Sequence, residues 1–197
     1  MPDIEKLRKN LEANGFKTSC FDTGDEACAY LNSQLDGTTV GFGGSETSWK
    51  LGLYQKLSEH NRCLWVRMGD DTSQAAYAPC YICSVNGVAE TGEMVNIDGN
   101  GNRLAATLYG KQKLFFVIGQ NKIVPDLPAA IDRARNIAAP LNARRLNKKT
   151  PCALSGEMKC YDCKSPERIC AAMVIHWQKP TSIEEAEVII IRQDLGY

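Results

Sequence analysis

Residues 38–49 read Thr-Thr-Val-Gly-Phe-Gly-Gly-Ser-Glu-Thr-Ser-Trp, and few architectures accommodate that order. The first five are small, β-branched or aromatic and predict a short buried strand. Gly43 and Gly44 predict a tight turn that a side chain would resist. Ser45 is placed to cap a helix carrying Trp49, Leu53 and Leu57 on one face. Strand, turn and helix start together describe a cradle for an anion. Backbone N–H groups and the positive end of the helix converge there, with the Ser45 and Thr47 hydroxyls as further donors. The competing reading is a glycine turn needed only for close packing of strand on helix.

The flanking chain supplies the layers. Asp3 or Pro2 opens a helix with Ile4, Leu7 and Leu11 on one stripe, closed by Gly15. A strand is predicted over 16–21. Thr23 and Glu26 have capping-box spacing ahead of Ala27, Tyr30, Leu31 and Leu35. Strands at 63–68, 81–85, 93–98, 113–118, 172–177 and 187–192 alternate with helical patterns, which is the order of an α/β protein with a layered mixed sheet and helices on both faces. The helix at 128–139 turns Ile131, Ala134 and Ile137 inward, and Pro140 restarts the chain. Arg133, Arg135, Arg144, Arg145, Lys148 and Lys149 read as a solvated face, with an anion-facing surface as the alternative. One domain is predicted over 1–197, with a cysteine-bearing insertion at about 147–170.

Bulk properties narrow the function. The 23 basic residues balance the 23 acidic ones, so no global field draws the chain to nucleic acid or an anionic membrane. Residues 1–14 are charged throughout, unlike a signal peptide. The longest apolar runs are strand-sized and do not span a bilayer. A cytoplasmic protein is expected.

Polar residues gather just past predicted strand ends: Asn86, Glu90, Asp98, Asn102, Arg103, Asn121 and Lys122. The ligand crevice of an open α/β sheet lies there, although Asn, Asp and Gly also form turns for their own sake. Glu90 and Lys122 are not preferred turn residues, and they are the candidate catalytic pair. Gly43, Gly44, Ser45, Thr47, Asn86, Asn102 and Arg103 are the candidate ligand-binding set for a small anionic metabolite. Nine cysteines are many for a reducing compartment. Cys152, Cys160, Cys163 and Cys170 have the spacing C-x7-C-x2-C-x6-C. The central C-x-x-C lets two thiolates share one ion, and four thiolates suit zinc or an iron–sulphur cluster. Disulfides formed in air and free loop thiols are the alternatives.

Several strings together resemble the LUD family, named for lactate utilisation proteins. They are Gly41-Phe-Gly-Gly-Ser-Glu-Thr47, Ser84-Val-Asn-Gly-Val-Ala-Glu-Thr-Gly92, Val95-Asn-Ile-Asp-Gly-Asn-Gly-Asn-Arg103 and Val117-Ile-Gly-Gln-Asn-Lys-Ile123. Ala139-Pro-Leu-Asn-Ala-Arg-Arg-Leu146 and Cys160-Tyr-Asp-Cys-Lys-Ser-Pro-Glu-Arg-Ile-Cys170 continue the match. The resemblance implies a fold similar to ribose-phosphate isomerases, glucosamine-phosphate deaminases and CoA transferases. Such enzymes hold a phosphate or carboxylate in a comparable glycine loop and use a catalytic carboxylate. Glu90 is the position here able to serve that role, although no complete catalytic motif of the isomerases or the CoA transferases is present. The resemblance further implies lactate or related organic-acid oxidation alongside redox partner subunits carrying iron–sulphur centres. An isomerase- or CoA-transferase-like enzyme and a non-catalytic, metal-stabilised sensor are the alternatives, and each is compatible with an oligomer.

Overall fold

The structure, a computed structural model, describes residues 2–197. Asp3 caps α1 (Ile4–Ala13), its carboxylate accepting the Lys6 N–H at 2.9 Å, and Leu7 and Leu11 are buried beneath it. β1 (Lys17–Phe21) follows, and the Thr23–Glu26 capping box starts α2 (Gly24–Gln34). β2 (Thr39–Phe42) runs into the glycine turn. The helix expected after it is two short ones, α3 (Glu46–Lys50) and α4 (Leu53–Leu57), because Gly52 between them adopts a left-handed φ of 63°. Leu53 and Leu57 remain buried, whereas Trp49 is 41% exposed.

β3 (Arg62–Trp65) leads through one 3-10 turn to α5 (Thr72–Tyr77), capped by Asp71, and then β4 (Cys80–Cys83). A hairpin of β5 (Gly87–Ala89) and β6 (Met94–Asp98) precedes α6 (Asn102–Leu108). The sequence pattern indicates only a turn at 99–103 and does not reveal this helix. β7 (Lys113–Gly119) and β8 (Ile123–Val124) come next. α7 (Leu127–Arg133) continues through a π-helical stretch, Ala134–Ala138, into α8 (Ala139–Arg145). Pro140 therefore does not restart the chain. The widened π turn ahead of it accommodates a ring and a missing N–H that a regular α-helix would not. α9 (Pro151–Leu154), β9 (Ala172–His176) and β10 (Glu185–Ile191) complete the described elements. No helix forms at Ser165-Pro166, where only the Arg168 N–H to Ser165 carbonyl turn is present.

Six strands form one parallel sheet in the order β1-β10-β7-β4-β2-β3, and a mixed four-stranded sheet, β8-β5-β6-β9, lies beside it. The fold is α/β with a sheet that is mostly parallel. One apolar cluster joins α1 and the small sheet to Tyr81, Cys83, Phe116 and Val188; the other joins α2 and α4 to Cys80, Ile82, Val117 and Ile189. Burial on both faces accounts for the continuous apolar runs of β7 and β10. It also separates Cys80 from Cys83. Three positions apart in a strand, their side chains leave by opposite faces, and each is buried in a different cluster. The tightest backbone contact is at Gly41, where an added Cβ would lie 1.9 Å from the Ala75 carbonyl oxygen of α5. Among the described residues no helix is long and apolar enough to cross a membrane.

Candidate functional site

The carboxyl ends of β3, β2, β4 and β7 open onto one cleft of about 370 Å³. β2 contributes Gly44, Ser45 and Glu46; β3 contributes Trp65 and Arg67; β4 contributes Ser84, Val85 and Asn86; and the turn after β7 contributes Lys122. Asn102 and Arg103, at the start of α6, and Asn142 and Arg145, on α8, close the other side.

The glycine turn divides between the two readings. Gly43 donates its N–H to the Ile82 carbonyl at 2.9 Å, and a Cβ there would meet Cys83 Cβ at 3.0 Å, so packing governs this position. At Gly44 an added Cβ would meet nothing within 4 Å, because the residue faces the cleft. Ser45 caps α3, its Oγ accepting the Ser48 N–H at 3.0 Å. Thr47 is fully buried and donates its hydroxyl to the Leu195 carbonyl at 3.2 Å, which takes it out of the ligand-binding set.

Lys122 is the most unusual group in the cleft. Only 3% exposed, its Nζ lies 2.8 Å from Ser84 Oγ, 3.0 Å from the Val85 carbonyl and 3.2 Å from Thr47 Oγ1. No carboxylate pairs with it among the described residues. Burial, aided by the Arg133 and Arg103 cations, holds its ammonium well below the ordinary lysine range. Burial also pushes the neighbouring Cys83 thiol up to about 12.

The cations of the rim are anchored. Arg103 donates to the Ile97 carbonyl at 2.5 Å and Asn86 Oδ1 at 3.4 Å, with Asp98 at 3.7 Å. Arg67 and Arg145 share the Glu46 carboxylate at 2.6 and 3.3 Å, and Arg67 also stacks 4.0 Å over the Trp49 ring. Two guanidinium groups against one carboxylate leave that rim positive. Arg133 is not on a solvated face. Only 5% exposed, it donates to the Asn121 carbonyl at 3.0 Å and to the Asn86 carbonyl, tying the β7 and β4 turns together. Burial brings its guanidinium down to about 10. Lysine at 133 cannot span both carbonyls, so Arg133→Lys should lose about 1–3 kcal/mol in urea unfolding. An unchanged midpoint would mean that the two turns hold without it.

A family model described as the LUD domain matches residues 4–191. The chain belongs to the LUD-domain family. Membership supports a role related to lactate utilisation at the level of the family. Among solved structures this LUD chain is similar to a DUF162 family protein from Deinococcus radiodurans. Identity is 10%, with 95% of each chain covered and a TM-score of 0.56, a likeness of fold. No curated protein matches the chain.

Two sets of expected residues lie elsewhere in this LUD chain. Glu90 is away from the cleft: its carboxylate accepts the Asp3 N–H at 2.9 Å and pairs with Lys6 at 3.2 Å, fastening α1 to the small sheet. Its backbone N–H bonds the Val124 carbonyl at 2.8 Å. The strand end that carries it belongs to β5, not to the large parallel sheet, so the catalytic pairing of Glu90 with Lys122 does not form.

The four clustered cysteines do not converge either. Among the described residues no group of three or more His, Cys, Asp or Glu side chains is placed to hold a metal ion. Cys152 bonds Thr150 Oγ1 at 3.3 Å within α9, and Arg168 engages the Cys163 carbonyl at 2.8 Å. Cys160 and Cys170 reach one shallow hollow, but arginines face them there. Arg135 lies 3.7 Å from Cys160 Sγ and Arg168 lies 3.2 Å from Cys170 Sγ. In this arrangement the four sulphurs do not share a common point, and no chemistry is assigned to a metal or cluster there. The cleft residues that sequence reasoning missed include Ser84, Glu46 and Arg67, and Arg145 fits only the alternative, anion-facing reading of its basic run. Serine carries no local signal, and the pairing of Arg67 with Glu46 spans 21 positions.

Proposed function

We propose that this LUD domain binds a small carboxylate-bearing metabolite in the cleft and works in the utilisation of lactate or a related organic acid. The observation that carries this reading is the positive rim, where Arg67 and Arg145 share the single carboxylate of Glu46. A ligand carboxylate restores the balance there by charge-assisted bonds. The volume of about 370 Å³ suits a small organic acid. Lys122, whose ammonium form burial disfavours, is the group able to take a proton from the hydroxyl of a bound 2-hydroxy acid. In an oxidation the α-carbon hydrogen would leave with the two electrons to an acceptor on a redox partner subunit, as the family resemblance implies.

Thermal-shift titration of the full chain with L-lactate, glycolate, pyruvate and phosphate tests the reading. At least one carboxylate should raise the melting temperature at millimolar concentration. Arg145→Gln should weaken that ligand about tenfold, the loss of about 1.4 kcal/mol expected for one charge-assisted contact. No shift with any of the four, or an undiminished shift in Arg145→Gln, would sink it.

A further inference from the structure

Acid binding makes no use of one group in the cleft, the Ser84 hydroxyl, which is the first residue beyond β4 and only 2% exposed. It lines the cleft and lies 2.8 Å from Lys122 Nζ. Three oxygens surround the Lys122 amine: Ser84 Oγ at 2.8 Å, the Val85 carbonyl at 3.0 Å and Thr47 Oγ1 at 3.2 Å. Thr47 gives its own proton to the Leu195 carbonyl at 3.2 Å and lies 3.4 Å from Ser84 Oγ. Once the amine has lost a proton it has two N–H bonds and one lone pair, and the lone pair can accept from the Ser84 hydroxyl.

We propose that Ser84 and Lys122 form a nucleophile–base dyad that acts on an ester or thioester of a small carboxylic acid. Ser84 Oγ bonds to the acyl carbon while its proton passes to Lys122 Nζ. The acyl carbon's bond to the thiol or alcohol breaks, and Lys122 returns the proton to the departing sulphur or oxygen. Water then opens the acyl-serine ester, with Lys122 again taking one proton and handing it to Ser84 Oγ. The cycle consumes one water and needs no oxidant. Burial beside Arg103 and Arg133 lowers the proton affinity of the amine and so favours its role as base. The dyad rests on the same cleft as acid binding but adds bond-making chemistry to it.

The test is labelling of the full chain with an ethyl fluorophosphonate, in which Ser84 Oγ bonds phosphorus, fluoride leaves and Lys122 receives the proton. One adduct is expected, mapped to Ser84 by peptide mass spectrometry and absent from Ser84→Ala. Lys122→Met should label about 100-fold more slowly or worse, the usual contribution of a general base. The wild-type rate should climb with pH and reach a plateau below 10.5, the ordinary lysine value. That profile holds as evidence even if methionine at 122 disturbs folding. No adduct at Ser84, an equal rate in a folded Lys122→Met, or a rate that rises with hydroxide and never levels would each overturn the dyad. The two readings fail separately. A carboxylate-induced thermal shift in unlabelled protein keeps acid binding when the dyad falls, and labelling without any such shift does the reverse.

Discussion

Alanine at position 41 should remove more than about 3 kcal/mol of stability, beyond the usual range for an overpacked core. The new Cβ would stand 1.9 Å from the Ala75 carbonyl oxygen, 2.9 Å from its carbon and 2.9 Å from the Tyr81 ring. Two of those atoms are helix backbone, so no rotamer change relieves the contact. α5 must lift from β2, which opens a gap over that strand in a close-packed interior, where little is tolerated. Since domains of this size hold about 5–15 kcal/mol in total, the urea midpoint should fall by a large fraction. Gly44→Ala is the matched comparison: its Cβ meets no atom within 4 Å, so stability should hardly change. A loss below about 1 kcal/mol in Gly41→Ala would show that α5 does not sit on β2 as described.

Lys122→Met should alter how stability depends on pH. The folded-state pKa of Lys122 lies well below 10.5, the ordinary value that the unfolded chain retains. Between those two pKa values the unfolded state binds the extra proton, so wild-type stability gains as pH rises, by up to about 1.4 kcal/mol per pH unit. The gain is complete at the unfolded value of 10.5 and absent below the folded one. Methionine removes the titration. The stability difference between wild type and Lys122→Met should therefore move in favour of wild type as pH rises toward 10. Taking the difference matters because the buried Cys83, raised to about 12, opposes the trend above its ordinary value of 9.0 in both proteins. Parallel stability–pH curves for the two proteins would mean that Lys122 keeps an ordinary pKa.

Local signals in the sequence carried far. Thr23 and Glu26 cap α2 as their spacing foretells, because both hydrogen bonds lie within one helical turn. Val117-Ile118 and Val188-Ile-Ile-Ile191 became central parallel strands, because a strand covered on both faces has no polar side to show. Lys122, Asn86, Asn102 and Arg103 line the cleft at the carboxyl ends of the strands, where polar residues just past strand ends are expected to gather. The sequence could not show which turn residues belong to which sheet. Glu90 ends a strand of the small sheet and meets α1, a contact spanning 87 positions. Ser84 finds its amine 38 positions away, with nothing nearby in the sequence to mark it. Arg133 and Arg145 sit in one basic run, yet one is buried and the other reaches the cleft. The Ala134–Ala138 π stretch between them shifts the helical phase, and composition does not reveal it.

The place of β10 in the large sheet has a consequence for synthesis. β1 has β10 as its sheet neighbour, with Lys17 beside Glu187, and β10 separates it from β7. At ribosomal rates of about 5–20 residues per second, roughly 10–30 s pass before that neighbour exists. Until then the β1 edge is without its partner, and the β7 edge stands open on the other side. The nascent chain is thus most exposed to strand-edge association while β10 is still being made. Insertion of that one strand closes both edges in a single event.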